Sequence, residues 1–229
     1  MTVLTPDSRV ALYYAPAESD PLWERATAWL GRDPARNAVA AQPDIDGLPE
    51  ITREAAGYGF HATLRPPMRL REGVTWADLL ASTQALAAGI PPFALPPLQV
   101  THLFGFLALT ETEPSPSLQG YADACVGVVE HLRAPPGEAE LAKRRRAGLA
   151  RAEDANLVRW GYPYVFNTWF FHMTLTRKLS EAEHARLRPL IEDWFADVLE
   201  GPRRVEDICV FVQPAPEAPF VIAERVALG

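Results

Sequence analysis

Hydrophobic and polar positions follow two different periods along the chain, and each change of period marks a new element. Residues 9–14 (RVALYY) are rich in β-formers and predict a short strand. Asp20 then serves as an N-cap, with Pro21 at the first helical position. Leu22, Trp23, Ala26, Trp29 and Leu30 share one helical stripe, which Gly31 stops. Residues 32–57, rich in Pro, Ala and Asp with weak periodicity, predict a long loop with room for one helical turn. YGFHATL (58–64) predicts a strand that Pro66 and Pro67 interrupt. Thr75 and Asp78 have capping-box spacing and open a helix to about Ala88. After proline-rich linkers, LQVTHLFGFLALT predicts one or two strands interrupted at Gly105. An amphipathic helix over 117–132 follows, then a charged one from Glu138 to about Arg159.

The second half repeats the plan of the first. TWFFHMTLTRK (168–178) predicts a strand, and Ser180 with Glu183 forms a second capping box. Leu187, Leu190, Ile191, Trp194, Phe195 and Val198 recur at helical spacing, with a kink expected at Pro189. VEDICVFVQ and PFVIAERVA close the chain as strands. A strand, a helix and a strand region thus occur twice, each time beginning at His-x-Thr-Leu. This order predicts an α+β protein, a single two-lobed domain over 1–229. It should have an approximate two-fold repeat of mainly antiparallel sheets, flanking helices and a central cleft.

Composition narrows the classes. The chain has 229 residues, of which 48% are hydrophobic and 22% charged, which excludes wholesale disorder. Cys125 and Cys209 lie far apart in apolar patterns and read as two buried thiols of a reduced, cytoplasmic protein, not as a disulfide or a zinc site. The opening MTVLTPDSRV shows no secretory pattern, and no apolar run approaches the roughly eighteen residues of a membrane span. A net charge of −7 argues against tracking long duplex nucleic acid. A small anionic ligand needs only a few local cations. The cluster Lys143, Arg144, Arg145 and Arg146 is either a solvated helix face or a grip on phosphate.

Strand parity exposes the candidate chemistry. Phe60, Ala62 and Leu64 share one face of the first motif, and Phe171, Met173 and Leu175 one face of the second. On the opposite faces stand His61, Thr63 and Arg65, and His172, Thr174 and Thr176. A core has no need of an imidazole and a hydroxyl at equivalent places in both halves. Two histidines facing one reaction centre suit acid–base chemistry, because their ordinary pKa near 6.5 lets one be neutral and the other charged.

Paired Phe-His-x-Thr-Leu motifs, with YGFHATLRPP (58–67), AKRRRAGL (142–149), RWGYPYVF (159–166) and FHMTLT (171–176), resemble the two-histidine (2H) phosphoesterases. That family includes 2′-5′ RNA ligase-like proteins and cyclic phosphodiesterases. The flanking text is most similar to a bacterial branch associated with phosphonate-utilisation genes. The resemblance implies the bilobed 2H fold, no cofactor, no metal, and hydrolysis of a cyclic or 2′-linked phosphodiester. A cyclic phosphoribosyl ester and an RNA terminal 2′,3′-cyclic phosphate are both candidates. One of His61 and His172 would deprotonate water and the other protonate the leaving oxygen, while Thr63 and Thr174 would donate to the non-bridging oxygens. Which histidine is acid and which is base is left open.

Arg65 and Arg145 are further candidates for substrate binding, with Tyr58, Trp160, Tyr162 and Tyr164 as an aromatic wall for a base or sugar. Lys178 reads as solvated, His102 as structural, His131 as helix-terminal and His184 as exposed. Two other readings stand beside hydrolysis: a non-catalytic module binding nucleotides or RNA ends in the same cleft, and a metal enzyme. No H-x-x-x-H, H-x-H or acidic cluster supports the metal enzyme, and RNA ligation would be hydrolysis run backwards, since no nucleotidyl-transfer lysine motif or phosphate-cradling glycine loop is present. The oligomeric state is not encoded in any pattern here.

Overall fold

In chain order, the elements alternate much as the hydrophobic pattern does. The computed structural model describes residues 4–146 and 148–229. β1 (Arg9–Tyr14) leads through α1 (Pro21–Leu30), β2 (Arg32–Asp33) and β3 (Ala38–Val39) to α2 (Leu48–Tyr58) and β4 (Ala62–Met68). α3 (Trp76–Ala87), β5 (Phe93–Leu95), β6 (Leu98–Leu103), β7 (Phe106–Glu111) and α4 (Pro116–Val128) follow. The remainder is α5 (Glu138–Arg145), α6 (Arg151–Trp160), β8 (Met173–Thr174), α7 (Glu181–Leu199), β9 (Arg203–Val205), β10 (Asp207–Gln213) and β11 (Val221–Ala227). None of these helices is long and apolar enough to cross a membrane.

Seven strands form one antiparallel sheet in the order β11-β10-β1-β4-β8-β7-β6. The fold is therefore α+β with antiparallel sheets. Side-chain alternation gives the sheet two different faces. Val10, Leu12 and Tyr14 of β1 and Ile208, Val210 and Val212 of β10 enter the main core, with Leu22, Trp29, Leu79, Leu118, Leu187 and Phe195 from the helices. Ala11, Tyr13 and Ala15 point the other way and pack with Trp23, Cys209, Phe211 and Phe220. Phe60, Ala62, Leu64, Phe171, Met173 and Leu175 are all buried in the main core, as their parity predicts. Both cysteines are free and buried.

The two motif strands are neighbours at the centre of the sheet, with Ala62 paired to Met173. Four expectations need correction. Residues 32–57 are not mainly loop, because α2 occupies the last third. Leu48, Ile51 and Ala55 form a narrow apolar stripe, and the N-cap is Gly47 with no capping side chain, so Pro49 and Glu50 in the first turn are the start signals and no cap residue reinforces them. β4 runs through Pro66 and Pro67, because its register against β1 slips there. Leu12 pairs with Arg65 and Val10 with Met68, so the bulge spares both prolines a ladder bond. The charged helix is two, α5 and α6, divided before Gly148 at φ 76°. Ala147, inside that stretch, lies outside the described residues, as do residues 1–3 of the amino-terminal stretch. In the second motif only Met173 and Thr174 are laddered, a much shorter strand than its β-rich composition predicts.

Candidate active site

Two segments deliver the histidines by the same local device. α2 ends at Gly59, with φ 79° and ψ 169°, where a Cβ would lie 2.7 Å from the Pro34 ring. Only glycine fits there, and its carbonyl accepts a hydrogen bond from His61 Nδ1 at 2.8 Å. In the second motif His172 Nδ1 donates to the Phe170 carbonyl at 3.2 Å. A carbonyl only accepts, so both Nδ1 atoms carry the hydrogen in the neutral rings. Each Nε2 then carries a lone pair directed toward the cleft side, and that of His61 accepts from the Thr63 hydroxyl.

The strand register sets the pair against each other. Continuing the Ala62–Met173 pairing by one residue each way puts His61 across from Thr174 and Thr63 across from His172. The histidines are then diagonal neighbours, which stand about 7–8 Å apart in an antiparallel pair. That spacing suits two imidazoles on either side of one phosphate. The Thr63 hydroxyl lies 3.2 Å from His61 Nε2, and the Trp169 indole donates to the Thr63 carbonyl at 2.8 Å, tying one motif to the other. His61, Thr63, His172 and Thr174 all line one cleft of 380 Å³.

Aromatic packing fixes the rings. His61 stacks on buried Tyr13 with centroids 3.8 Å apart, and His172 stacks on Phe170 at 4.7 Å. This burial has an electrostatic consequence. Desolvation pushes His61 down to about 4, opposed by the Gly59 carbonyl and reinforced by His172. Burial also lowers His172, opposed by the Phe170 carbonyl. At neutral pH the free cleft therefore holds two neutral imidazoles.

The other candidates separate. Tyr58 and Tyr162 line the cleft; Tyr164, edge-on to Tyr162 at 5.7 Å, lines an adjoining cavity instead. Trp160 packs on Phe166 away from the cleft. Arg65 is a correction. A second slip of β4 against β1, between Thr63 and Arg65, turns it into the interior, where it is 1% exposed and pairs with Glu130 at 3.1 Å and with the Trp160 carbonyl. Burial lowers it to about 10, opposed mainly by Glu130, so it remains a cation holding structure together. Arg145 is the second correction, since it faces outward to Asp154 at 2.6 Å. The member of the basic cluster that reaches the cleft is Arg144.

Sequence reasoning passed over Arg9, which shares a face with Tyr13 by simple alternation, and Tyr13 itself. Lys178, although exposed, also lines the cleft, and Thr176 is buried with its hydroxyl accepting from Leu107 N at 2.9 Å. His184 is not exposed as expected, but packs against His102 with centroids 4.3 Å apart. No cluster of three or more metal-donor side chains occurs among the described residues.

These features define a class: an α+β antiparallel-sheet protein with a symmetric two-histidine, two-threonine cleft. Residues 63–221 match the family described as "Protein of unknown function (DUF1045)", and the chain belongs to that family. A protein of Janthinobacterium sp. (strain Marseille) named "Ribose 1,5-bisphosphate phosphokinase PhnN" is 39% identical over 228 residues, covering 96% of this chain and 50% of that one. A protein of the same name from Laribacter hongkongensis (strain HLHK9) is 35% identical over 222 residues, covering 96% and 52%. The chain thus spans about half the length of the curated relatives it matches. Among solved structures, E. coli LigT complexed with 3′-AMP aligns over 97% of this chain and 98% of that one, with TM-score 0.45 and 15% identity. A structure described as a phosphoesterase aligns over 96% and 98%, with TM-score 0.43 and 14% identity.

Proposed function

We infer that this protein is a metal-independent phosphodiesterase that opens a cyclic or 2′-linked phosphodiester by two-histidine acid–base catalysis. The observation that carries this reading is the repeated device at the cleft: two imidazoles, each with Nδ1 tied to the carbonyl two residues earlier and a threonine two residues later. A structural histidine has no need of a diagonal partner on the same strand pair.

In the reaction, one neutral histidine takes a proton from water through Nε2 as the water oxygen bonds to phosphorus. The other, protonated at Nε2, delivers its proton to the ester oxygen as the P–O bond breaks, leaving a phosphomonoester and an alcohol. Thr63 and Thr174 donate to the non-bridging oxygens, whose charge grows in the transition state. Both free histidines favour the neutral form, so the acid acquires its proton when the anionic substrate enters. The site residues of this mechanism are His61, His172, Thr63 and Thr174, with Tyr58 and Tyr162 against the sugar or base.

A cyclic phosphoribosyl ester is the favoured substrate. The ribose bisphosphate in the names of the two relatives agrees with a sugar-phosphate setting. Their kinase activity is not read onto this chain, which contains no G-x-x-x-x-G-K-[ST] loop. A screen of purified protein in excess chelator against cyclic phosphoribose, 2′,3′-cyclic nucleotides and 2′-5′ dinucleotides tests the reading. The expected result is a single monoester product from at least one member. Binding without turnover across the panel would favour a nucleotide-binding module instead.

A further inference from the structure

A second cavity of 1030 Å³ opens beside the histidine cleft, and five described residues line both: Arg9, Glu54, Tyr58, Pro67 and Arg144. The two arginines come from distant parts of the chain, the start of β1 and the last turn of α5. Each is aimed by an aromatic face. The Arg9 guanidinium carbon lies 5.3 Å from the centre of the Phe220 ring, and its Nε donates to Gln213 Oε1 at 2.6 Å. Arg144 sits over Tyr162 at 4.7 Å. A guanidinium held by its face keeps its N–H edges for an acceptor in its own plane.

Both arginines also have unused capacity. Among the described residues Arg9 has no carboxylate within 4 Å, and Arg144 reaches only Glu140 at 3.7 Å, beyond hydrogen-bond distance. Arg144 Nε is buried with no hydrogen-bond partner. That unpartnered N–H leaves the Arg144 cation under-compensated, and an oxyanion at the junction of the cavities would offset its charge through the terminal N–H groups. Glu54, exposed on α2, is the only carboxylate among the five shared residues, which together carry a net charge of +1, while Glu140, beside Arg144, lines the larger cavity.

We propose that Arg9 and Arg144 form a second anion subsite, and that the substrate carries a phosphomonoester there in addition to the phosphodiester held between His61 and His172. The identity of the first phosphate rests on the two-histidine reading; the subsite rests on the arginines alone. A dianion with three oxygens suits two guanidinium edges better than a single carboxylate does, and it outweighs the opposing charge of Glu54. A simple nucleoside cyclic phosphate would leave the subsite unfilled. A sugar phosphodiester that also carries a phosphomonoester would fill both.

Calorimetric titration with adenosine 2′,5′-bisphosphate and adenosine 2′-monophosphate, at one ionic strength, tests the proposal. The wild type should bind the bisphosphate at least about tenfold more tightly, as charge-assisted hydrogen bonds from two arginines imply. Arg9→Gln and Arg144→Gln should each remove most of that preference while leaving the monophosphate within about twofold. Glu54→Gln should tighten the bisphosphate alone. Equal affinity for the two ligands, binding of neither, or arginine variants that weaken both alike would overturn the subsite. A His61→Ala variant separates the two ideas. If it hydrolyses phosphodiesters as well as wild type yet keeps the bisphosphate preference, the catalytic reading falls and the subsite stands.

Discussion

Placing an anion of fixed charge between the two histidines should change their proton equilibria in a way that can be calculated. Burial lowers His61 to about 4, and His172 is lowered by the same cause. A unit negative charge about 4 Å from an imidazolium contributes about 4 kcal/mol at an effective dielectric constant near 20. At 1.36 kcal/mol for each tenfold change in proton affinity, such an anion raises His61 from about 4 to about 7. Sulfate is a suitable probe, because it stays a dianion over this range and so exerts at least the effect of the unit charge. Imidazole nitrogen and carbon shifts of His61 and His172, followed by NMR from acid to neutral pH with and without saturating sulfate, report both rings. We expect His61 to titrate far below the ordinary histidine range in the free protein, and one of the two rings to take up a proton near neutrality when sulfate binds. The corresponding kinetic signature is a kcat/KM optimum on the acid side of the kcat optimum, since the first follows the free enzyme and the second the complex. The two limbs belong to the pair, not to either residue. Ordinary titration of His61 in the free protein, or rings that ignore sulfate, would refute the reasoning.

Three further outcomes follow from single residues. Gly59→Ala meets the Pro34 ring in a backbone region reserved for glycine; we expect a loss of about 1–3 kcal/mol by urea unfolding. It should also cost more than about tenfold in turnover, because the carbonyl orienting His61 must move; unchanged turnover would show that this bond is dispensable. Arg65→Met should lower stability by about 2–3 kcal/mol, since Glu130 keeps only Arg133, at 2.7 Å, as its charged partner. Ligand affinity should stay within about twofold, and a selective loss of affinity would return Arg65 to the binding site. The unfolded chain takes a proton at His61 near pH 6.5 and the folded chain only near 4. Stability from this residue is therefore intact above about 6.5 and falls by about 3 kcal/mol as the pH drops to about 4. Urea midpoints of wild type and His61→Phe across that interval measure the difference, and parallel curves would contradict the burial of a neutral ring.

The central features were legible in the sequence because they are periodic. Alternation alone put Phe60, Ala62, Leu64, Phe171, Met173 and Leu175 in the core, and so put His61 and His172 on the opposite face. The adjacency of the motif strands was not legible. Pairing is set by which strands meet, and two repeats are equally compatible with two sheets or with one shared sheet. Arg65 shows where parity fails. The register slips between Thr63, paired with Tyr13, and Arg65, paired with Leu12, and that one residue sends the Arg65 side chain to the core face shared with Leu12. Within the basic cluster nothing in the local text distinguishes Arg144 from Arg145, because the phase of α5 depends on packing against Tyr162. α2 was hidden by its glycine N-cap and narrow stripe, although its far end shapes the cleft.

The central claim is that His61 and His172 are the two proton-transfer groups of one metal-independent reaction. Its most direct test is turnover of the best substrate from the screen by wild type, His61→Ala, His172→Ala and the double variant, all in excess chelator. The account predicts undiminished wild-type activity under chelation and a loss of about 10²–10⁴-fold in each single variant. The double variant should be little worse than the poorer single, because groups that act as a unit are strongly non-additive. Full activity in either single variant, or wild-type activity abolished by chelator and restored by zinc, would contradict it.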